Sequence, residues 1–353
     1  MKSDHKKIIV NNSLTRRNFI KQTAIGTAGF ALAGNVYPKK LFSDYSLKKS
    51  KVILIRHSKV LDESGKIQQP LLQEMLDRAI IELSGKNTLI EAWQSYFSPQ
   101  DVIGIKINTL GLGDLVDTDF IMHYTGLSTA IVSGLEKAGM DKSKIIIWDR
   151  SDEELANAGF NIQKEQGALR IMGNKSERRG SGGNFGNTTY PVGDKSTRVS
   201  AILDEMCTAL INVPVLKTHG NAILTNCLKN HYGSISNPRD FHDNYCTNPG
   251  IPEVNTIPVI RSKQRLNISD ALLTLYDGGP RWRKHQMWHY GGLIVGTDPV
   301  AVDAVGLQII DEKRKSENLQ LIEPRVNQLI LAEKLDLGNS RTENIELIKI
   351  DLG

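Results

Sequence analysis

The densest run of chemically capable side chains is Pro214-Val215-Leu216-Lys217-Thr218-His219-Gly220, followed closely by Thr225, Lys229, Asn230, His231 and Gly233. Two amines, two imidazoles and several amides in so short a stretch could hold an anionic substrate. They could equally run proton transfer, with His219 as acid or base and a desolvated Lys217 or Lys229 as its partner. A solvated helix end with incidental histidines is the plain alternative. Two further runs end in polar groups. DVIGIKI carries Lys106 and runs into Asn108 and Thr109, and KIIIW runs into Asp149-Arg150-Ser151-Asp152. A lysine inside an apolar strand is costly to bury unpaired, so Lys106 should face a polar site or an edge. Asp149 could be a base or a ligand, while Ser151 or Asp152 could simply cap a helix.

The elements that would position these groups follow from apolar periodicity. Lys51–Arg56, Asp101–Ile107, Lys144–Trp148, Ala209–Val213, Gly292–Gly296 and Asn344–Ile350 have strand character. Pro70–Leu83, Gly126–Ala138, Asp152–Ala158, Ala222–His231, Asp298 to about Lys313, and Pro324–Lys334 have helical spacing. This alternation predicts a single α/β domain with a largely parallel sheet flanked by helices. The strand Ala209–Val213 would then deliver Lys217, Thr218 and His219 just past its carboxyl end, where open α/β sheets place their ligand crevices. On a helix over Ala222–His231, Thr225 and Lys229 would share a face. In RLNISDALL, Asp270 would sit at a strand-to-helix junction. Asp298 and Pro299 make a strong helix start, and Asp303 lies roughly 140° round that helix from Asp298. The glycine-rich segment 173–198 and the proline-containing segment 234–256 read as loops. Residues 278–290 interleave Arg281, Trp282, Arg283, Lys284, His285, Trp288 and His289, as a lid near the site would.

The chain has 353 residues, 40% hydrophobic and 24% charged, a globular composition with room for a sizeable core. Of its 44 basic and 39 acidic residues, six and one fall within residues 1–33, so the remainder carries 38 of each. The net charge of +5 therefore belongs to the N-terminus, and the body offers no field for nucleic acid. Cys207, Cys227 and Cys246 have no C-x-x-C spacing, so neither an iron–sulfur cluster nor a structural zinc site is indicated, and any cofactor is left undefined. G-x-S-x-G and H-E-x-x-H are both missing, and His219, His231 and His242 could converge only through folding.

Residues 1–33 have a basic start, a mildly apolar stretch and the small-residue exit Ala31-Leu32-Ala33. Arg16-Arg17-Asn18-Phe19-Ile20-Lys21 resembles a twin-arginine signal, which is read by the twin-arginine export machinery. It implies a periplasmic or otherwise extracytoplasmic protein exported folded, attached to the membrane only if the signal stays uncleaved. Residues 34–50 would link it to a domain over residues 51–353.

In order, DVIGIKIN, KIIIWDRS, VPVLKTHGNAILTNCLKNHYGSI, LNISDAL and IVGTDPVAVDAVG resemble the domain of unknown function 362 family over about residues 50–315. The resemblance points to Lys106, Asn108, Asp149, Lys217, Thr218, His219, Thr225, Lys229, Asn230, Gly233, Asp270, Asp298 and Asp303. Family members often carry an added ferredoxin-like module with clustered cysteines, a pattern this sequence does not contain. The Lys-Thr-His and Lys-Asn block is also distantly similar to the sites of nickel-pincer-dependent lactate racemases, which would imply an isomerase. The sequence thus points to an enzyme for a small anionic substrate. His219, Lys217, Lys229 and Asp149 would act on it, and Lys106, Asn108, Thr218, Thr225, Asn230, His231, Asp298 and Asp303 would bind it. A non-catalytic ligand-binding or redox-partner protein is the other class that fits.

Overall fold

The computed structural model describes residues 49–178 and 182–353. The signal over residues 1–33, and the linker apart from Lys49 and Ser50, lie outside the described residues. The first half of the chain contributes β1 (Ser50–Arg56), α1 (Gln69–Ser84), α2 (Leu89–Gln94), β2 (Ile103–Lys106), α3 (Met122–Lys137), β3 (Ile145–Ser151) and α4 (Asp152–Asn157). The strands β4 (Arg170–Lys175), β5 (Phe185–Val192), β6 (Lys195–Ser200), β7 (Ala209–Asn212), β8 (Val215–His219) and β9 (Ile223–Thr225) come next. Then follow α5 (Cys227–Asn230), α6 (Ile251–Asn255), α7 (Pro258–Lys263), β10 (Gln264–Leu275), β11 (Met287–Gly296), α8 (Pro299–Ser316), α9 (Asn327–Lys334) and β12 (Ile345–Asp351).

The sheet runs β12-β1-β11-β10-β7-β2-β3-β4. On this path only β11 runs against its neighbours, because it returns from β10 as a hairpin. The remaining pairs are parallel, as the alternation of strands and helices requires. Each face of the sheet carries its own core, so central strands are apolar on both sides. Ile103, Ile105 and Ile107 face one core with α1, α2 and α3, while Trp148, Leu210 and Ile294 face the other with α8 and α9. Helix α1 forms because Leu72, Met75, Leu76, Ala79, Ile80 and Leu83 fall on one buried stripe. Pro70 occupies its first turn, and Gly85 closes it with φ of 68°.

Several parts of the fold depart from expectation, among them the segment 234–256, read as a loop, which holds α6. Ala222–His231 is not one helix. Ile223–Thr225 pairs antiparallel with β8, and only Cys227–Asn230 is α-helical, with a 3-10 turn beginning at His231. Lys217, Thr218 and His219 therefore lie on a strand of their own rather than beyond the end of one. That strand follows a break at Pro214, after which the chain rejoins the edge of β10. Asp270 sits in the middle of the 12-residue strand β10, not at a strand-to-helix junction. Segment 173–198, expected as a loop, holds the hairpin β5–β6.

The helix start at Asp298 is observed. Its carboxylate accepts from the N–H groups of Val300 at 2.8 Å and Ala301 at 3.0 Å. The other oxygen accepts from Ser50 Oγ at 2.5 Å and Asn339 N at 2.8 Å, tying the first strand and the C-terminal segment to α8. Gly338 must be glycine there, since a Cβ would lie 1.9 Å from that carboxylate. Asp298→Ala is expected to cost about 2 kcal/mol, the worth of a helix cap plus tertiary hydrogen bonds. Urea unfolding checks it, and an unchanged midpoint would contradict the assignment.

Candidate functional site

Strands β2 and β3 end side by side, with Lys106 opposite Trp148 in the register. Alternation sends Ile105 and Ile107 to one core and Lys106 to the other face, where it lies fully buried. Its Nζ donates to Asp149 Oδ1 at 2.7 Å, Ile107 O at 2.6 Å and Asn230 Oδ1 at 3.1 Å. Asp149 Oδ2 accepts from both the backbone N–H and the hydroxyl of Thr109, each at 2.7 Å. Burial alone would raise the Asp149 carboxyl, but Lys106, Arg150 and the Thr109 N–H outweigh it and hold it below the usual range. A carboxylate so fully engaged is an anchor, not a free base. Gly233 closes over this pair, where a Cβ would meet Lys106 Nζ at 2.8 Å and Asp149 Oδ1 at 3.1 Å.

A buried amide ladder holds α5 against that floor. Asn230 Nδ2 donates to Asn212 Oδ1 at 2.7 Å and to Lys106 O at 3.2 Å. Asn212 in turn donates to Cys227 O at 3.0 Å and Asn267 Oδ1 at 3.2 Å. Asp303, from α8, accepts the N–H groups of Cys227 at 2.7 Å and Leu228 at 3.2 Å, capping this very short helix. The helix thereby presents Lys229.

Lys229 is buried, and no carboxylate reaches it among the described residues. Its Nζ lies 3.2 Å from the centroid of the Tyr232 ring and 3.5 Å from His242 Nε2. Burial pushes this amine down to about 7. The two imidazoles beside it are fixed in opposite states. A backbone N–H can only donate, so the bonds from Asn221 N at 3.1 Å and Ala222 N at 3.2 Å require a lone pair on His219 Nδ1. Burial, with Lys229, Lys217 and His242 nearby, takes His219 down to about 3, so the neutral ring carries its proton on Nε2. His242 is the converse. Its Nδ1 donates to the Pro238 carbonyl at 2.7 Å, and burial together with Lys229 lowers its affinity for a second proton. Its Nε2 therefore offers a lone pair. The ring centroids are 6.4 Å apart.

Both rings line a cavity of about 680 Å³, within the range of small-molecule sites. Lys106, Arg150, Lys175, Arg178, Lys229 and Arg239 line it against Asp149 and Asp240. Glu154 engages Arg150 and Arg178, and Asp149 engages Lys106. Lys175, Lys229 and Arg239 are left without a carboxylate among the described residues, so the wall is a net cation.

Of the residues singled out in the sequence, the fold brings His219, Lys229, Asp149, Lys106, Asn108, Thr225 and Asn230 to this cavity. Thr225 Oγ1 is buried there with no partner in the protein. Lys217 stands behind the wall. It donates to Leu110 O at 2.7 Å and Asn108 Oδ1 at 3.3 Å, and burial takes its amine to about 7. Thr218, His231, Asp298 and Asp303 do not line it. Thr218 bonds Leu275 O at 3.2 Å, and His231 is enclosed between Ser234 and Gln264. Asp270 is paired with His123 at 2.6 Å, away from the cavity. Segment 278–290 packs Trp282 beneath Lys217 instead of covering the cavity. Arg150, Lys175, Arg178, Arg239, Tyr232 and His242 were not assigned to a site from sequence. His242 reaches it from the segment 234–256, where no spacing announces it.

All three cysteines are buried free thiols. Among the described residues no three His, Cys, Asp or Glu side chains gather as a metal site, and no helix is long and apolar enough to cross a membrane.

An α/β fold with a polar crevice at the carboxyl ends of β2 and β3 defines the class. The family model described as a domain of unknown function, DUF362, matches residues 103–308, and the chain belongs to that family. Among curated proteins none matches. A crystal structure of a structural-genomics target from Thermotoga maritima is similar at TM-score 0.41 and 11% identity, over 73% of this chain. The match spans 61% of that protein.

Breaking the buried pair strands a charge. Asp149→Asn is expected to cost about 3–5 kcal/mol, whereas Lys106→Met with Asp149→Leu should recover most of the loss. Equilibrium unfolding of the three chains decides, and equal destabilisation of the single and double variants would contradict the pairing argument.

Proposed function

We propose that the protein is an enzyme that binds a small anionic molecule in this cavity and moves a proton on it. His242 Nε2 takes the proton, and the His219 Nε2–H group and Lys229 hold the negative charge that develops. One observation carries the proposal: two imidazoles on one wall, each fixed by backbone bonds in the neutral tautomer opposite to the other's. This revises the role expected of His219, which becomes a hydrogen-bond donor instead of the acid or base. Lys217 becomes a support for Asn108, and Asp149 an anchor for Lys106. Lys175 and Arg239, without carboxylate partners, supply attraction for the anion. Export of the folded protein through the twin-arginine route is part of this reading, supported by the paired arginines and by the confinement of excess charge to residues 1–33.

Lys229 titrates near 7, and a bound anion favours its charged form. Binding should therefore take up protons at pH about 8 and hardly any at pH about 6, with affinity falling as pH climbs past 7. Sulfate titration calorimetry in buffers of different ionisation enthalpy reads this without a titration of the ligand itself, and Lys229→Met should abolish the uptake. For turnover, 2-oxo and 2-hydroxy carboxylates are incubated with the protein in deuterium oxide. Exchange of the carbon-bound hydrogen should fall about 100-fold or more in His242→Gln. Anion binding with no exchange across the panel would leave a binding protein without catalysis.

A further inference from the structure

Lys229 is more than an anion clamp. Its Nζ opens to the cavity, stacks on the Tyr232 ring at 3.2 Å, and has the His242 Nε2 lone pair 3.5 Å away. No carboxylate fixes it as an ammonium ion among the described residues, in contrast to Lys106, which Asp149 holds. Lys217 is also buried without a carboxylate, but it is turned to Leu110 O and Asn108 and stands outside the lining. The cavity thus exposes one buried amine with a base beside it and a neutral N–H donor, His219, on the same wall. Those are the parts an amine nucleophile needs.

We propose that Lys229 forms a covalent imine with an anionic carbonyl compound of the 2-oxo carboxylate class. This rests on the anion-binding reading above and names its substrate chemistry. The Nζ lone pair makes a C–N bond to the carbonyl carbon as the C=O π electrons move to oxygen, where the His219 Nε2–H group donates. His242 Nε2 relays the two amine hydrogens to that oxygen. The C–O bond then breaks and the oxygen leaves as water, so amine and carbonyl give imine and water with no change of oxidation state. Lys175 and Arg239 would meet the carboxylate. The low proton affinity of Lys229, caused first by burial, keeps a substantial amine fraction at neutral pH.

The test uses pyruvate as probe with cyanoborohydride, on the intact protein, followed by peptide mass mapping. The expected result is one reduced pyruvyl group per chain, on Lys229, with inorganic phosphate slowing its formation. Lys229→Arg should remove the adduct, and His242→Gln should slow it about tenfold or more while Lys229 remains present. Modification spread over surface lysines, with Lys229 no faster than the rest, would overturn the proposal. Calorimetry separates the two levels. Sulfate binding without a Lys229 adduct overturns the imine alone, whereas no binding and no adduct overturn the anion reading as well.

Discussion

The site is governed by a shortage of carboxylates. Lys106, Lys217 and Lys229 are all buried around one crevice, and of the three amines Asp149 bonds only that of Lys106. A charged amine out of water needs an opposite charge or it gives up its proton. Burial pushes Lys106 down as well, but Asp149 opposes that shift as an ion-pair partner at 2.7 Å, with Ile107 O and Asn230 completing its bonds. Lys217 and Lys229 have amides, carbonyls or an aromatic face instead, and burial brings each down to about 7. The same scarcity keeps both nearby imidazoles neutral. A bound anion would supply the missing negative charge, so this chemistry makes recognition and proton uptake one event.

The fold creates that shortage by splitting the sheet. Strand β7 pairs with both β10 and β2, but beyond Pro214 the chain, as β8, keeps β10 and takes β9 as its other neighbour in place of β2. The opening between β8 and β2 receives α5, seated by Asp303 and the ladder of Asn230, Asn212 and Asn267. A helix of four residues has little stability of its own, and those buried bonds give it one position. Lys229 and Asn230 leave it in different directions, one to the cavity wall and one to the ion pair on its floor.

Much of this was legible in the sequence. The apolar runs Lys51–Arg56, Lys144–Trp148 and Ala209–Val213 read as strands because central parallel strands are apolar on both faces. Pro70–Leu83 and the Asp298-Pro299 start read as helices because spacing and capping are local. Lys106 announced a polar partner by its cost. What failed depended on distant pairing. The spacing in AILTNCLKNH fits a helix, yet pairing with β8 takes Ile223–Thr225 into a strand, with Ile223 at φ of 65°. Asp270 looked like a junction because the partner that makes it tolerable mid-strand, His123, lies far away in sequence. Asp298 and Asp303 are acids doing helix-capping work, which motif matching cannot tell from ligand binding. His242, Arg239 and Lys175 arrive from segments without periodicity, so only the folded chain reveals them as neighbours of Lys229.

Everything proposed for the cavity requires that His219 and His242 face it as opposite neutral tautomers. Nitrogen-15 NMR of the imidazole rings across roughly pH 6 to 8 addresses it most directly, since this is where an unperturbed histidine titrates. His219 is expected to remain neutral with its proton on Nε2, and His242 neutral with its proton on Nδ1. A His219 ring that titrates in this range, or that carries its proton on Nδ1, would contradict the account.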